Sequence, residues 1–210
     1  MALPHDLQLH GRLPARDPHH PGDPRGLLGD RGTAGLSNPA DRTGAEAVAL
    51  PVIPHLVIRT DGAARGNPGP ASLGAALIDG SRPDALSPTA SPDATISEAL
   101  GRQTNNVAEW RGVIEALKLA QRLGAEQVDM LLDSKLIVEQ LAGRWRVKDA
   151  KLAPLHAEAK AMLGGFRRWS ATHVPRAQNS TADRLANEAL DRVAAGGPAR
   201  VARARRISPG

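Results

Sequence analysis

The stretch Leu56–Pro70, LVIRTDGAARGNPGP, decides how the rest of the chain is read. Leu56, Val57 and Ile58 form a short β-rich apolar run between Pro54 and a cluster of glycines. That is the pattern of a buried strand closed by turn residues. The run ends on Thr60 and Asp61. Gly62 to Pro70 follows as a loop whose glycines let the backbone turn sharply and come close to a ligand. An aspartate at the end of a buried strand is costly unless it is paired. A metal ion and a hydrogen-bonded turn both satisfy that need. Asp61 alone reads as the turn residue, and its weight as a ligand depends on the other acids of the chain.

Outward from this stretch, Ala71–Asp79 (ASLGAALID) reads as a second strand. The polar, Pro-rich SRPDALSPTASPD is a connection, and Ala94–Gln103 a weaker third strand. Three strands in succession predict an antiparallel meander. The period then changes. Thr104, Asn105 and Asn106 are capping residues before a helix over Val107–Leu123, whose Trp110, Val113, Ile114, Leu117 and Ala120 share one face. Gly124 stops it. Val128–Leu132 is a fourth strand ending on Asp133, and Ser134 is placed to cap a helix over Lys135–Ala142. After the basic segment Gly143–Lys148, residues Leu152, Leu155, Ala159, Met162 and Leu163 outline another helix. Arg168–Val174 reads as a fifth strand, and Thr181–Val193 as a last helix with Ala182, Leu185, Ala186, Ala189 and Val193 inward.

This order predicts one α/β domain over residues 54–194. Its sheet is expected to be mixed and five-stranded, three antiparallel strands followed by alternating α/β units, with helices on its faces. Residues 1–53, rich in Pro, Gly and Arg and without a period, are expected to be disordered, with His5, His10, His19 and His20 as solvated tail residues. Residues 195–210 carry Arg200, Arg203, Arg205 and Arg206 with no acid, and are expected to form a disordered basic arm.

Composition narrows the function classes. With 210 residues, 41% of them hydrophobic but only 2% aromatic, the chain suits one aliphatic, alanine-rich core plus tails. The absence of Cys excludes disulfides, thiolate metal sites and cysteine nucleophiles, and fits a reducing compartment. A net charge of +5 permits a polyanionic partner without identifying it. No apolar run approaches the roughly 18 residues of a membrane span, and the N-terminus lacks an apolar leader segment. The expectation is a cytoplasmic protein with no membrane partner; no protein partner is inferable.

Four acids stand where elements end. Asp61 closes the first strand and Asp133 the fourth; if those strands are neighbours, the two carboxylates lie side by side. Glu109 is read in the first turn of the long helix, on its inward side, and Asp183 in the first turn of the last helix. Each has a bland reading: Glu109 and Asp183 complement helix dipoles, Ser180 with Asp183 matches a capping box, and Asp133 with Ser134 is a helix start. Together they are harder to dismiss. Clustered carboxylates repel one another, and an all-oxygen cluster without Cys suits Mg²⁺ or Mn²⁺. Two such ions flank a phosphodiester in metal-assisted hydrolysis.

These residues resemble the type 1 ribonuclease H domain over residues 55–193. The motifs are Thr60-Asp61-Gly62 with Gly66-Asn67-Pro68-Gly69, then Gln103–Glu109 (QTNNVAE), Leu132-Asp133-Ser134, and Asn179 with Ala182–Ala186 (ADRLA). The segment DSKLIVEQLAGRWRVK resembles the short bacterial and archaeal branch, which lacks a long basic insertion. Some actinobacterial relatives fuse such a domain to an acid phosphatase; none is expected within these residues. The resemblance implies a ribonuclease H-like fold and cleavage of the RNA strand of RNA–DNA hybrids. It further implies two Mg²⁺ ions, with Mn²⁺ as a substitute, held by Asp61, Glu109, Asp133 and Asp183, with Asp61 shared. Whether duplex RNA is also a substrate stays open.

The resemblance also places substrate contacts. Gly62, Ala64, Gly66, Asn67, Asn105, Asn106 and Glu109 would line the minor groove, where the RNA strand shows its 2′-OH groups. Arg102 and Thr104 would form a DNA phosphate pocket, and Asn179, in the last motif, is expected to contact the substrate. Trp145 among Arg144, Arg146 and Lys148 suits sugar–phosphate contact, with packing of Trp145 against the domain as the equal alternative. Trp110 and Trp169 read as core. Many members carry a histidine in the loop before the last acid; here that place holds Arg176, with His173 upstream on the strand. Arginine stays protonated and cannot act as a base, but it can hold a phosphate. Two other classes fit the same pattern: a hybrid- or duplex-binding module with little catalysis, and another nuclease of the same fold.

Overall fold

The strand His55–Ala64 (β1) is bonded on both sides to partners of opposite sense. It runs antiparallel to Gly69–Asp79 (β2) and parallel to Gln127–Leu132 (β4). Around it the computed structural model, which describes residues 52–205, builds one mixed sheet. Ala94–Gln103 (β3) pairs with β2, Arg168–His173 (β5) runs parallel to β4, and Arg200–Ala204 (β6) runs antiparallel to β3. The order is β5-β4-β1-β2-β3-β6. The helices are Asn105–Arg122 (α1), Lys135–Leu141 (α2), Ala153–Leu163 (α3) and Ser180–Ala194 (α4), with a 3-10 turn at Arg176–Gln178. Among the described residues no helix is long and apolar enough to cross a membrane.

Side chains alternate across a strand. Leu56 and Ile58 on β1, with Leu73, Ala75 and Leu77 on β2, face α1–α3. There they join Trp110, Ile114, Leu117, Ile137, Leu141 and Leu163 in the main core. Trp110 is fully buried, as the apolar stripe of its helix predicts, and Trp169 packs partly buried against the same core. The other face carries α4 and the connection between β2 and β3. Its apolar cluster is small, Val57, Ile78, Ala85 and Ala90, and Ser72 Oγ and Ser97 Oγ donate to the carbonyls of Ala186 and Leu185 in α4.

Two glycines set how closely the helices approach. A Cβ on Gly62 would lie 2.2 Å from the backbone nitrogen of Glu109, and one on Gly74 would lie 2.1 Å from the carbonyl oxygen of Ala182. No side chain fits at either place. Gly62 therefore lets α1 press on β1 beside Glu109, and Gly74 lets α4 press on β2 beside Asp183.

The structure departs from the sequence reading at five places. First, β1 does not end at Asp61. Residues Asp61–Ala64 keep pairing with Gly74–Ala71 after β4 has stopped, so the loop shrinks to residues 65–68. Second, Thr104 Oγ1 accepts from the Val107 amide (3.4 Å) and starts α1 at Asn105. Glu109 thus lies in the second turn, and the first turn holds no acid. Third, the domain begins before residue 54: Ile53 is buried and its amide donates to the Leu123 carbonyl (2.8 Å). The expectation for residues 1–51 lies outside the described residues. Fourth, part of the expected basic arm is β6, a sixth strand. Arg200 bonds Glu98 and Glu115, and Arg192 reaches the carbonyls of Ser97 (2.8 Å) and Pro198 (2.7 Å). Fifth, Val193, in the last turn of α4, is 42% exposed rather than inward.

Candidate active site

The last parallel pair between β1 and β4 is Thr60 with Leu132. Asp61 follows Thr60 on β1 and Asp133 follows the last residue of β4, so the register sets the two residues side by side at one end of the parallel pair. Glu109 arrives over Gly62 from the α1 face. Asp183 arrives beside Gly74 from the α4 face. Asp61, Glu109 and Asp133 line one cavity of about 480 Å³ together with Asn105, Arg176 and Asn187.

Every one of these carboxylates is held by a donor. The Gly62 amide donates to Asp61 Oδ1 (2.9 Å), Asn105 Nδ2 to Glu109 Oε1 (2.8 Å) and Asn179 Nδ2 to Asp133 Oδ1 (2.8 Å). Asp183 differs, because both of its oxygens are engaged. Arg176 donates to Oδ1 (2.6 Å) and Asn187 Nδ2 to Oδ2 (3.3 Å). Fixing one oxygen and leaving the other free orients a carboxylate toward a ligand.

The electrostatics record uncompensated negative charge. Burial pushes the Asp61 carboxyl up to about 7, and the charges of Asp133, Asp183 and Glu109 push in the same direction, with only Arg176 opposing. Burial likewise raises Glu109, against hydrogen bonds from Ser134 and Asn105 that lower it. The hydrogen bond to Asp183 holds Arg176 more firmly protonated. As the side chains stand, no group of three or more His, Cys, Asp or Glu among the described residues is arranged to hold a metal ion. The donor chemistry nevertheless fits a hard cation: the acids lining the cavity offer only carboxylate oxygens, and Asp61 there is pushed up by burial and by the neighbouring acids despite Arg176. Asp183 is tied to Arg176 rather than turned to the other three acids.

The other residues singled out in the sequence fall into four groups. Gly62, Ala64 and Asn105 line the acidic cavity. Gly66 and Asn67 are exposed on the hairpin beside it, and Asn67 Oδ1 accepts from the Asn105 amide (3.2 Å), tying that loop to α1. Arg102 and Asn106 are exposed on either side of Thr104, which is the N-cap. Trp145 and Lys148 lie apart from the acids, in a groove of about 550 Å³ with Arg146 and Lys160. Trp145 is 46% exposed, which goes against its packing into the domain.

Asn179 is a correction. It is fully buried, and its amide donates to Thr60 O (2.9 Å) as well as Asp133, so it does not reach a substrate. His173 ends β5, exposed and outside the cavity lining. Two residues read for local roles, or not at all, belong to the site. Ser134 makes no capping bond, and its hydroxyl is near enough to Glu109 to lower that carboxyl. Asn187 stands four residues after Asp183, a helical spacing at which the pair was legible.

A family model described as reverse transcriptase-like matches residues 59–189. The chain is 48% identical over 139 residues to a bifunctional protein of Mycobacterium tuberculosis, covering 66% of this chain and 36% of that protein. It thus spans about a third of that relative's length. Among solved structures, ribonuclease H1 of the archaeon Halobacterium salinarum is similar, at 42% identity and a TM-score of 0.59, over 65% of this chain and 98% of that one. LC11 ribonuclease H1, solved in complex with an RNA/DNA hybrid, is 34% identical with a TM-score of 0.59, over 66% of this chain and 99% of that one.

Proposed function

The chain belongs to the type 1 ribonuclease H family, and from that premise we propose that it hydrolyses the RNA strand of RNA–DNA hybrids. The observation that carries the proposal is the convergence of Asp61, Glu109, Asp133 and Asp183, from four separate elements, at the end of β1 and β4. In this reading the four carboxylates hold two Mg²⁺ ions, with Mn²⁺ able to replace them. The ions supply activation of water and stabilisation of the leaving oxygen. Asp61, buried and subject to the charges of the other three, would be the ligand common to both.

The protein's own groups do the rest. Asn105, Asn179 and the Gly62 amide each fix one carboxylate oxygen, so the free oxygens are aimed before any ligand arrives. Arg176 is exposed at the cavity mouth and permanently charged. It pairs with Asp183 in the free protein and can transfer to a phosphate oxygen of the substrate or product. Ala64, Gly66, Asn67, Asn105 and Asn106 present backbone and amide groups to the minor groove, where 2′-OH groups mark the RNA strand. Arg102 and Thr104 take a DNA phosphate. Trp145 and Lys148, exposed in their own groove, take the sugar–phosphate backbone further along. The proposal keeps the cytoplasmic setting expected from the sequence.

The test is cleavage of a labelled RNA–DNA hybrid with Mg²⁺, beside duplex DNA, duplex RNA and a duplex with a single ribonucleotide. Cleavage of the RNA strand of the hybrid, without cleavage of DNA, is expected. Tight hybrid binding with no cleavage in Mg²⁺ or Mn²⁺ would make the chain a binding module. Cleavage of all-DNA duplex would make it another nuclease of this fold.

A further inference from the structure

Arg59 lies on β1, two residues before Asp61, with 2% of its surface exposed. Among the described residues it has no carboxylate partner. Its guanidinium donates to two backbone carbonyls, Gln178 (2.7 Å) and Leu86 (2.8 Å), and its Nε has no partner. A buried charge without an opposite charge is unfavourable compared with an aliphatic side chain, and burial indeed lowers the Arg59 pKa. Stability alone gives no reason for an arginine between Ile58 and Thr60.

The partners supply a reason. Gln178 ends the 3-10 turn that starts at Arg176, and Asn179 follows it. Arg59 grips the carbonyl of Gln178, and Asn179 donates to the carbonyl of the next strand residue, Thr60 (2.9 Å). Two adjacent residues of β1 thus hold two adjacent residues of the turn. A single bond would leave the turn free to pivot, and the second removes that freedom. The same turn carries Arg176, bonded to Asp183, and delivers the Asn179 amide to Asp133. Leu86, the other end of the clamp, belongs to the β2–β3 connection on the same face of the sheet.

We propose that Arg59 is a positioning residue: by locking the Arg176–Asn179 turn onto β1 it sets the orientation of Asp133, through Asn179, and the reach of Arg176. This deepens the nuclease reading and rests on it for its catalytic consequence, but the clamp itself is a property of the free protein. The contrast is with a residue that only fills the interior, whose loss would loosen the whole sheet.

The experiment compares the full chain with Arg59→Met, Arg59→Lys, Asn179→Ala and the double variant Arg59→Met/Asn179→Ala. Two readouts are taken: amide hydrogen exchange without substrate, and steady-state cleavage of the hybrid. The amides of Gln178 and Asn179 close the turn on Pro175 and Arg176. In Arg59→Met their exchange is expected to rise at least about tenfold while the β1–β2 ladder keeps its protection. kcat is expected to fall about tenfold with KM changed less than about twofold, the pattern of lost alignment rather than lost binding. Arg59→Lys, which reaches only one carbonyl, falls between. The double variant should be no slower than Asn179→Ala, since both act through one turn. Unchanged exchange at Gln178 and Asn179 in a folded Arg59→Met overturns the proposal. So does a uniform rise across the sheet, or collapse of both Arg59 variants. A wild-type chain that fails to cleave hybrid sinks the nuclease reading and leaves the exchange result to judge the clamp.

Discussion

The two faces of the sheet are built from different materials. The face under α1, α2 and α3 is a continuous aliphatic layer, Leu56, Ile58, Leu73, Leu77 and Ile96 packed on Trp110, Ile114 and Leu117. The face under α4 and the β2–β3 connection buries Arg59, Asp61, Ser72, Ser97 and Asn179, beside a small cluster around Val57 and Ile78 and the alanines and two leucines that α4 buries. Burying an apolar side chain stabilises by roughly 1.5–3 kcal/mol, whereas a buried polar group at best breaks even once its hydrogen bonds are made. The first face holds the domain together. The second accepts a poorer core so that strand ends, a turn and a helix can be fixed to one another by directional bonds around the acids.

That contrast is broken most severely at Asp61. Asp61→Asn is expected to abolish hybrid cleavage while hybrid binding persists. Without metal, the same change should stabilise the fold at pH 8. Asp61 is held protonated up to about 7 in the folded chain against roughly 4 when unfolded. Its contribution is therefore present below pH 4 and is lost as pH rises through 7. Removing the charge restores on the order of 4 kcal/mol at pH 8, read as a higher Tm that vanishes at pH 4. Substantial Mg²⁺-dependent cleavage by Asp61→Asn sinks the ligand assignment, and an unchanged Tm sinks the charge argument.

On the opposite face, Ile58→Ala should do the reverse. It lowers stability by roughly 2–5 kcal/mol and leaves kcat of the folded fraction unaltered, as urea unfolding and active-site titration would show. A large loss of kcat at full folding would mean that the faces are not separable.

Arg176→Ala sharpens the comparison within the site. Turnover should slow about tenfold without stopping, a loss of about 1.4 kcal/mol, because arginine orients and attracts but moves no proton. The pH–rate profile should lack a limb near pH ~6.5. Such a limb, disappearing in His173→Ala, would hand the role to His173.

The smallest effect is expected at the far edge. Arg200→Ala, which cuts β6 from Glu98 and Glu115, should lower stability by about 1 kcal/mol and leave cleavage unchanged. A Tm equal to that of the wild type would mean that the strand is held by its backbone alone.

The sequence was most legible where the information is local. Period and capping placed the first five strands and the four helices, because apolar alternation and helical stripes are written in neighbouring residues. Thr104 as a cap and Trp110 as core were readable for that reason. The acids were legible as residues that could converge, and the fold brings them to one end of the sheet. Their holders were less so. Asn179 was read as a substrate contact, yet it is buried, because only the folded turn shows that its amide faces Thr60 and Asp133. Ser134 was read as a cap because its spacing from α2 is visible, yet in the fold its side chain makes no capping bond.

By itself, then, the chain determined the order of elements, an aliphatic core without cysteine, and the acids Asp61, Glu109, Asp133 and Asp183 at or near the ends of elements. Tertiary structure alone decided the rest. The pairing of β1 with β4 set Asp61 beside Asp133, and two glycines with no room for a side chain let α1 and α4 close in. A strand formed at Arg200–Ala204 on the edge of β3, where Arg200 meets Glu98 and Glu115, about a hundred residues away in sequence and next to it in space. Hydrogen bonds and ion pairs depend on distance in the fold, and a segment with no partner among its neighbours in sequence reads as a tail until the sheet brings the partner to it.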